Sequence, residues 1–264
     1  MKQWLPCLMI VCLSLLSACS DKDSRIQQIR SRNNGAGELR VGVKMDVPGF
    51  GYFNPATRKL EGLEIDLAHT MADLIIGKKD AIHFVTTTGM TKEALLTNEK
   101  VDLIIGTYTI TEDRRNIVNF SRPYYTDEIG FLVLKDSGLR TMEDVSGKTV
   151  GVTRASTAFS AFDKNPDLIN GGMTLQAFAS YPEIQNALLN GEIDVFSADK
   201  SILTGYMNDK TVRLEGGVQP QPYGIGSMLS DKEFAKEIDK LLGKLIEDGT
   251  LDKILAKWLP PSAN

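Results

Sequence analysis

Apolar and polar positions follow two rhythms along this chain. Short apolar runs bounded by polar residues occur in "LRVGVK" (39–44), "IHFVTT" (82–87) and "VDLIIGTY" (101–108). The later stretches "GFLVL", "TVGVT", "LQAFA" and "IDVFSA" repeat them, and each predicts a strand. Between them, "LEIDLAHTMADLI" sets Leu67, Met71, Leu74 and Ile75 at i, i+4, i+7 and i+8, and "TKEALLTNE" predicts a second helix. This alternation is expected to give an α/β architecture with mostly parallel sheets. The C-terminal stretch is expected to be all helix. Ser230 with Glu233 makes a capping box, and Phe234, Ile238, Leu241, Leu242, Leu245 and Ile246 line one face. Gly249 ends that helix, and Thr250 starts another carrying Leu251, Ile254, Leu255 and Trp258 inward.

The first residues break both rhythms. "MKQWLPCLMIVCLSLLSACS" has Lys2 near its start, an apolar core through Leu16 and small residues before Cys19. Residues 1–18 therefore read as a secretory signal, too short to be comfortable as a spanning helix. "LSAC" resembles the lipobox of bacterial lipoproteins, which implies cleavage before Cys19 and lipidation of its thiol. Cys7 and Cys12 lie inside the signal and no cysteine follows Cys19, so the mature chain has no disulfide framework. Ser20 to Gly37 is polar, with only Ile26, Ile29 and Ala36 apolar. Residues 19–37 are expected to be a lipidated cysteine and a flexible tether.

Composition narrows the function classes. The 264 residues are 42% hydrophobic and 24% charged, with a formal net charge of −4. That is enough chain for one large domain or two modest ones. Positive and negative residues are interspersed, without the basic face of a nucleic-acid binder. There is no G-x-S-x-G, and the two histidines, His69 and His83, are far from any cysteine. Triad and metal chemistry are not expected.

Candidate chemistry gathers where strands end, because open parallel sheets present ligands at the carboxyl ends of their strands. "ALLTNEKVDLIIGTYT" (94–109) and "ALLNGEIDVFSADK" (187–200) echo one another, each an apolar strand ending in polar groups. Thr107 and Thr109 end the first, Thr111 reads as an N-cap before Glu112 and Asp113, and Arg114 falls in the first helical turn. A cation there opposes the helix dipole, and guanidinium binds carboxylate bidentately. Spacing alone leaves open a surface arginine paired with Glu112 or Asp113. In "GVTRASTAFSAF", Ser156 and Thr157 open a helix whose amides suit an anion, or simply cap it. Asp199 follows the apolar strand of the second echo, as a partner for an ammonium group or as an N-cap. Lys44 ends the first strand and faces the same cleft if the topology holds.

The stretches "GLEIDLAHTMADLI", "VDLIIGTYTITEDRRNIVNFSRPYY", "VSGKTVGVT" and "YGIGSMLSDKEFAKEIDKLLGKLIEDGTLDKILAKWL", in that order, resemble the amino-acid-binding family of bacterial extracytoplasmic solute-binding proteins, the receptors of ABC importers. The resemblance spans Leu39 to Leu259. It implies a type II periplasmic binding protein fold, two α/β lobes joined by a two-strand hinge, with residues 38–125 plus 223–264 as lobe 1, 126–222 as lobe 2, and hinge crossings at 124–128 and 219–223. It further implies that Arg114, helped by Ser156 and Thr157, holds a ligand α-carboxylate. Thr107 and Thr109 would meet the ammonium and carboxylate, and Asp199 would pair with the ammonium. The pattern looks most like members binding aspartate and glutamate, where a lysine at the position of Lys44 meets the distal carboxylate. Many of those members carry an arginine where this chain has Lys92, a departure that leaves glutamine open. Tyr181 and Tyr223 match positions that line the pocket, pack, or serve the hinge. The resemblance implies a monomeric receptor, not an enzyme, that needs no cofactor or metal. Its partners would be a free L-amino acid, the permease subunits and, through Cys19, the membrane. Dehydratases acting on prephenate-like acids share the fold and are the alternative of another class.

Overall fold

The apolar runs form one curled sheet that passes through two lobes, in a computed structural model that describes residues 24–168 and 172–259. The signal at 1–18 and Cys19 lie outside the described residues.

The first lobe is entered through α1 (Arg25–Gly35), β1 (Leu39–Val43) and a small antiparallel sheet of β2 (Asp46–Val47), β3 (Gly51–Asn54) and β4 (Lys59–Glu61). It continues with α2 (Leu63–Ile76), β5 (Ile82–Thr86), α3 (Lys92–Thr97), β6 (Leu103–Ile104) and α4 (Glu112–Arg115). The long strand β7 (Val118–Leu134) crosses into the second lobe. There follow β8 (Thr149–Thr153), α5 (Thr157–Lys164), β9 (Thr174–Phe178), α6 (Tyr181–Leu189), β10 (Val195–Asp199), α7 (Lys200–Tyr206) and β11 (Thr211–Arg213). Strand β12 (Val218–Met228) returns to the first lobe, which α8 (Lys232–Glu247) and α9 (Thr250–Trp258) complete.

The sheet order is β5-β1-β6-β12-β7-β10-β8-β9, with β11 on β7. Pairing is parallel in β5-β1-β6 and in β10-β8-β9, and antiparallel where β7 and β12 meet each other and their neighbours. Pro123 lies opposite Gly224, where the β7–β12 register shifts. Proline has no N–H for a regular ladder and belongs at such irregularities. The largest apolar cluster runs from α2, α8 and α9 through Phe50, Tyr124 and Tyr223 to Tyr181 and Phe196, and a second fills the far lobe around Phe131, Val150 and Phe162.

Two sequence expectations are corrected. Residues 25–35 are not a flexible tether but the element α1, helical from its cap and kinked at Arg32, Asn33 and Asn34; the cap is Ser24, whose hydroxyl accepts from Gln27 N at 3.3 Å. Ile29 is fully buried, Arg30 donates to the Ile75 carbonyl at 2.7 Å, and Arg25 reaches Asp231 at 3.2 Å. A polar segment orders here because its arginines find acids and carbonyls on the lobe, which its own composition does not reveal. The second correction concerns α8: its N-cap is Asp231, not Ser230, and the Asp231 carboxylate accepts from Phe234 N at 3.2 Å. Glu233 pairs with Lys236 at 2.7 Å instead of closing a capping box.

The α1 contact carries a stability prediction. The Asp102 side chain is fully buried and accepts from Arg32 Nη2 at 2.8 Å and from Arg40 N at 2.9 Å. Asp102→Ala leaves both donors without their acceptor and is expected to lower the unfolding free energy by about 3 kcal/mol. Urea denaturation checks this, and an unchanged midpoint would remove Asp102 as the anchor of α1.

Candidate functional site

The ends of β1 and β6 in one lobe and of β8 and β10 in the other converge on a single cleft. Its wall contains Lys44, Lys92, Thr107, Thr109 and Arg114 from the first lobe and Ser156, Thr157, Tyr181 and Asp199 from the second. About 550 Å³ of space lies between these atoms, part of it open to solvent. Nine of the ten candidate residues read from the sequence are thus brought together. Tyr223 is not in the wall. It is fully buried behind it, and its hydroxyl donates to Asp199.

Arg114 is set by a short local device. Thr111 caps α4 by accepting from Arg114 N at 3.2 Å, which turns the side chain back toward the strand end. Its Nη1 donates to the Thr109 carbonyl at 2.9 Å and its Nη2 to the Ala155 carbonyl across the cleft at 3.4 Å. The guanidinium carbon also lies 5.0 Å from the centre of the Tyr108 ring. Asp113, offered by spacing as a surface partner, instead pairs with Lys164 of the other lobe at 2.8 Å. Arg114 Nε lies 4.0 Å from the Glu93 carboxylate, and the side chain lines the cleft.

Opposite Arg114 is the start of α5. The Ser156 hydroxyl is occupied as a cap, accepting from Phe159 N at 3.0 Å. The amides of Thr157 and Ala158 precede the first intrahelical bond and are free to meet an anion. Asp199 stands at the N-cap of α7 but makes no side-chain cap bond. Its carboxyl takes the Tyr223 hydroxyl, and burial pushes its pKa up to about 7, opposed by that bond. The site thus presents an anion-binding end and, facing it, a carboxylate suited to an ammonium group.

The two lysines occupy the rest of the wall. Lys44 Nζ lies 2.9 Å from Asp46 and 5.0 Å from the Tyr181 ring centre. Lys92 Nζ donates to the Gly106 carbonyl at 2.5 Å and to the Thr107 carbonyl at 3.3 Å. Burial first, then the neighbouring Arg114 and Lys44, pushes its pKa down to about 7. The strand read as "VDLIIGTY" is regular only over Leu103–Ile104; the next residues form a loop, with Thr107 at φ 42° and Thr109 bridging to Tyr223.

Sequence reading missed Glu64 and Glu93. Glu64 lies behind the cleft, and Glu93 accepts the Tyr108 hydroxyl at 2.8 Å beside Arg114. The signal for Glu64 was a carboxylate at i relative to Ala68, Met71 and Ile75, on the apolar face of α2. Contacts across the cleft include Asp113–Lys164, Arg114–Ala155 and a bond from the Tyr206 hydroxyl to the Asp46 carbonyl. Among the described residues no cluster of His, Cys, Asp and Glu could hold a metal ion, and no helix is long and apolar enough to cross a membrane.

Comparison with known proteins meets this geometry. The chain is 33% identical to the glutamine-binding protein of Geobacillus stearothermophilus, over 90% of this chain and 96% of that one. It is 29% identical to the glutamate-binding protein GluB of Corynebacterium glutamicum, covering 92% of this chain and 85% of the relative. The crystal structure of a cysteine-binding protein from Campylobacter jejuni superposes with a TM-score of 0.80 at 26% identity, over 89% of this chain and 93% of the other. Both of those curated relatives are binding proteins. With residues 39–261 matching the description "bacterial extracellular solute-binding proteins, family 3", the chain belongs to that family, the amino-acid-binding receptors of ABC importers.

Proposed function

We propose that the cleft captures a polar amino acid, glutamate or aspartate before glutamine, and closes on it by bending at 124–128 and 219–223. The observation that carries this reading is the make-up of the wall: three basic side chains, Lys44, Lys92 and Arg114, line it against one acidic side chain, Asp199, with Asp46 pairing Lys44 from outside it. Arg114 with the α5 amides holds the α-carboxylate, and Asp199 holds the α-ammonium, with Thr107 and Thr109 beside them. Lys44 and Lys92 then remain for the side chain. They favour an anion, accept an amide carbonyl, and repel a cationic side chain. Because the groups come from both lobes, ligand stabilises the closed form. Lipidation at Cys19 would tether the receptor to the membrane, where it delivers its ligand to the permease.

The test is calorimetric titration of the intact protein with glutamate, aspartate and glutamine, after unfolding and refolding to strip carried ligand. Tight binding of an acidic amino acid with weak glutamine is expected. Glutamine alone would keep the receptor and overturn the acidic pocket. Silence across a wider amino-acid panel would turn the question to a prephenate-type dehydratase assay. Lys44→Met is expected to weaken glutamate about tenfold more than glutamine, the loss of one partly screened charge pair. Equal losses would remove Lys44 from the side-chain pocket.

A further inference from the structure

Glu64 occupies the first turn of α2 with no exposed surface. A carboxylate in such a place is costly unless its charge is answered. Gly62, just before the helix, allows the close passage that puts it there, since a Cβ at Gly62 would lie 2.0 Å from the Phe50 carbonyl oxygen. Glu64 Oε1 accepts from Thr107 N at 2.5 Å and from the Tyr124 hydroxyl at 2.6 Å, while Oε2 has no partner.

Lys92 grips the same peptide unit from the other side. The Gly106 carbonyl takes the Lys92 ammonium at 2.5 Å, and the Thr107 N–H of that unit goes to Glu64. In a trans peptide these two groups point apart, so opposite charges on either side fix the plane. The grip has a purpose, because Thr107 holds φ 42°, a conformation that a β-branched residue keeps only when its surroundings impose it. Thr109, two residues on, supplies the carbonyl that orients Arg114.

The charges facing this pair come from several elements. Glu64 faces Tyr124, Lys92 and Lys44; burial raises its pKa, opposed first by the hydrogen bonds from Tyr124 and Thr107 and then by the two lysines. Lys92 faces Arg114, Lys44, Glu64 and Glu93. Two donors on one oxygen and no acceptor at the other fit the ionised form of Glu64.

We propose that Glu64, although outside the cleft wall, is a positioning and specificity-determining residue: with Lys92 it clamps the Gly106–Thr107 peptide, and its negative charge offsets Lys44 and Lys92, tuning the choice between acidic and neutral side chains. The inference rests on amino-acid capture at this cleft. Glu64→Gln keeps an acceptor oxygen and removes the charge. In calorimetric titration of the intact protein at a pH below the Lys92 midpoint of both forms, so that Lys92 stays charged in each, the glutamate-to-glutamine affinity ratio is expected to rise about tenfold, as one counter-charge within several ångströms is lost. Glu64→Asp keeps the charge on a shorter arm and is expected to weaken both ligands while leaving the ratio near that of the unmodified chain. Equal losses for both ligands in Glu64→Gln would indicate a merely structural residue and overturn the proposal. A measurement without ligand decides the matter even if the unmodified chain binds none of the panel, a result that would sink the proposed function alone. It follows the NMR titration of the Lys92 ε-methylene carbon, whose midpoint should fall in Glu64→Gln; a midpoint that stays in place overturns the charge coupling.

Discussion

Arg114→Ala is expected to abolish measurable binding of every α-amino acid, a loss of about a thousandfold, because removing one partner of a desolvated, hydrogen-bonded charge pair costs about 4 kcal/mol. Three features support an effect of that size. The side chain is only 14% exposed, so little water screens the pair. Its guanidinium is already aimed, by the Thr109 carbonyl on one lobe and the Ala155 carbonyl on the other, so a ligand need not order it. The α5 amides that would share the carboxylate are neutral and supply no replacement charge. Arg114→Lys keeps a cation without the planar fork and is expected to fall between the two. Arg114 also touches both lobes, so thermal unfolding of each variant should accompany the calorimetry. Near-normal affinity in a folded Arg114→Ala protein would sink the carboxylate clamp.

Asp199→Asn is expected to weaken binding about a hundredfold, since the ligand's ammonium loses a buried counter-charge while the shape of the site is kept. Tyr223 can still donate to the asparagine oxygen, so the fold should tolerate the change. This residue also sets a pH dependence. Burial lifts its pKa from the ordinary 3.8 to about 7, so in the absence of ligand the folded chain holds a proton that the unfolded chain has released. Stability of the ligand-free protein is therefore gained as pH falls from about 7 and lost as it rises through that value. Binding has the opposite sign, because an ammonium group needs the carboxylate. Glutamine affinity is expected to drop by up to about tenfold per pH unit below pH 7. Lys92, with a pKa of about 7, gains its charge over the same range, so the profile for glutamate should be flatter than that for glutamine. Asp199→Asn should remove the drop for glutamine. A variant with the same slope as the unmodified chain would take Asp199 out of ammonium recognition.

How much of this was legible depended on distance along the chain. Thr111 as the cap of α4 and Ser156 as the cap of α5 are local facts, three residues from donor to acceptor, and the sequence carried them. The buried face of α2, with Leu67, Met71 and Ile75, came from period alone. The Ser230 cap failed by one residue, because Ser and Asp are near-equal caps and the final turn of chain before α8 decided between them.

The amino-acid sequence by itself determined the α/β alternation, the helical C-terminus and the set of polar residues at strand ends, because each follows from periodicity or from capping within a few residues. Only the tertiary structure decided that Arg114 ignores its neighbour Asp113 for carbonyls on two lobes, that Tyr223 backs Asp199 from behind the wall, and that residues 25–35 dock on the first lobe as a kinked helix. It alone placed Glu64 and Lys92 on one peptide, 43 and 14 residues from their partners. Charge and hydrogen-bond energies depend on distance and burial in space, and separation along the chain carries neither.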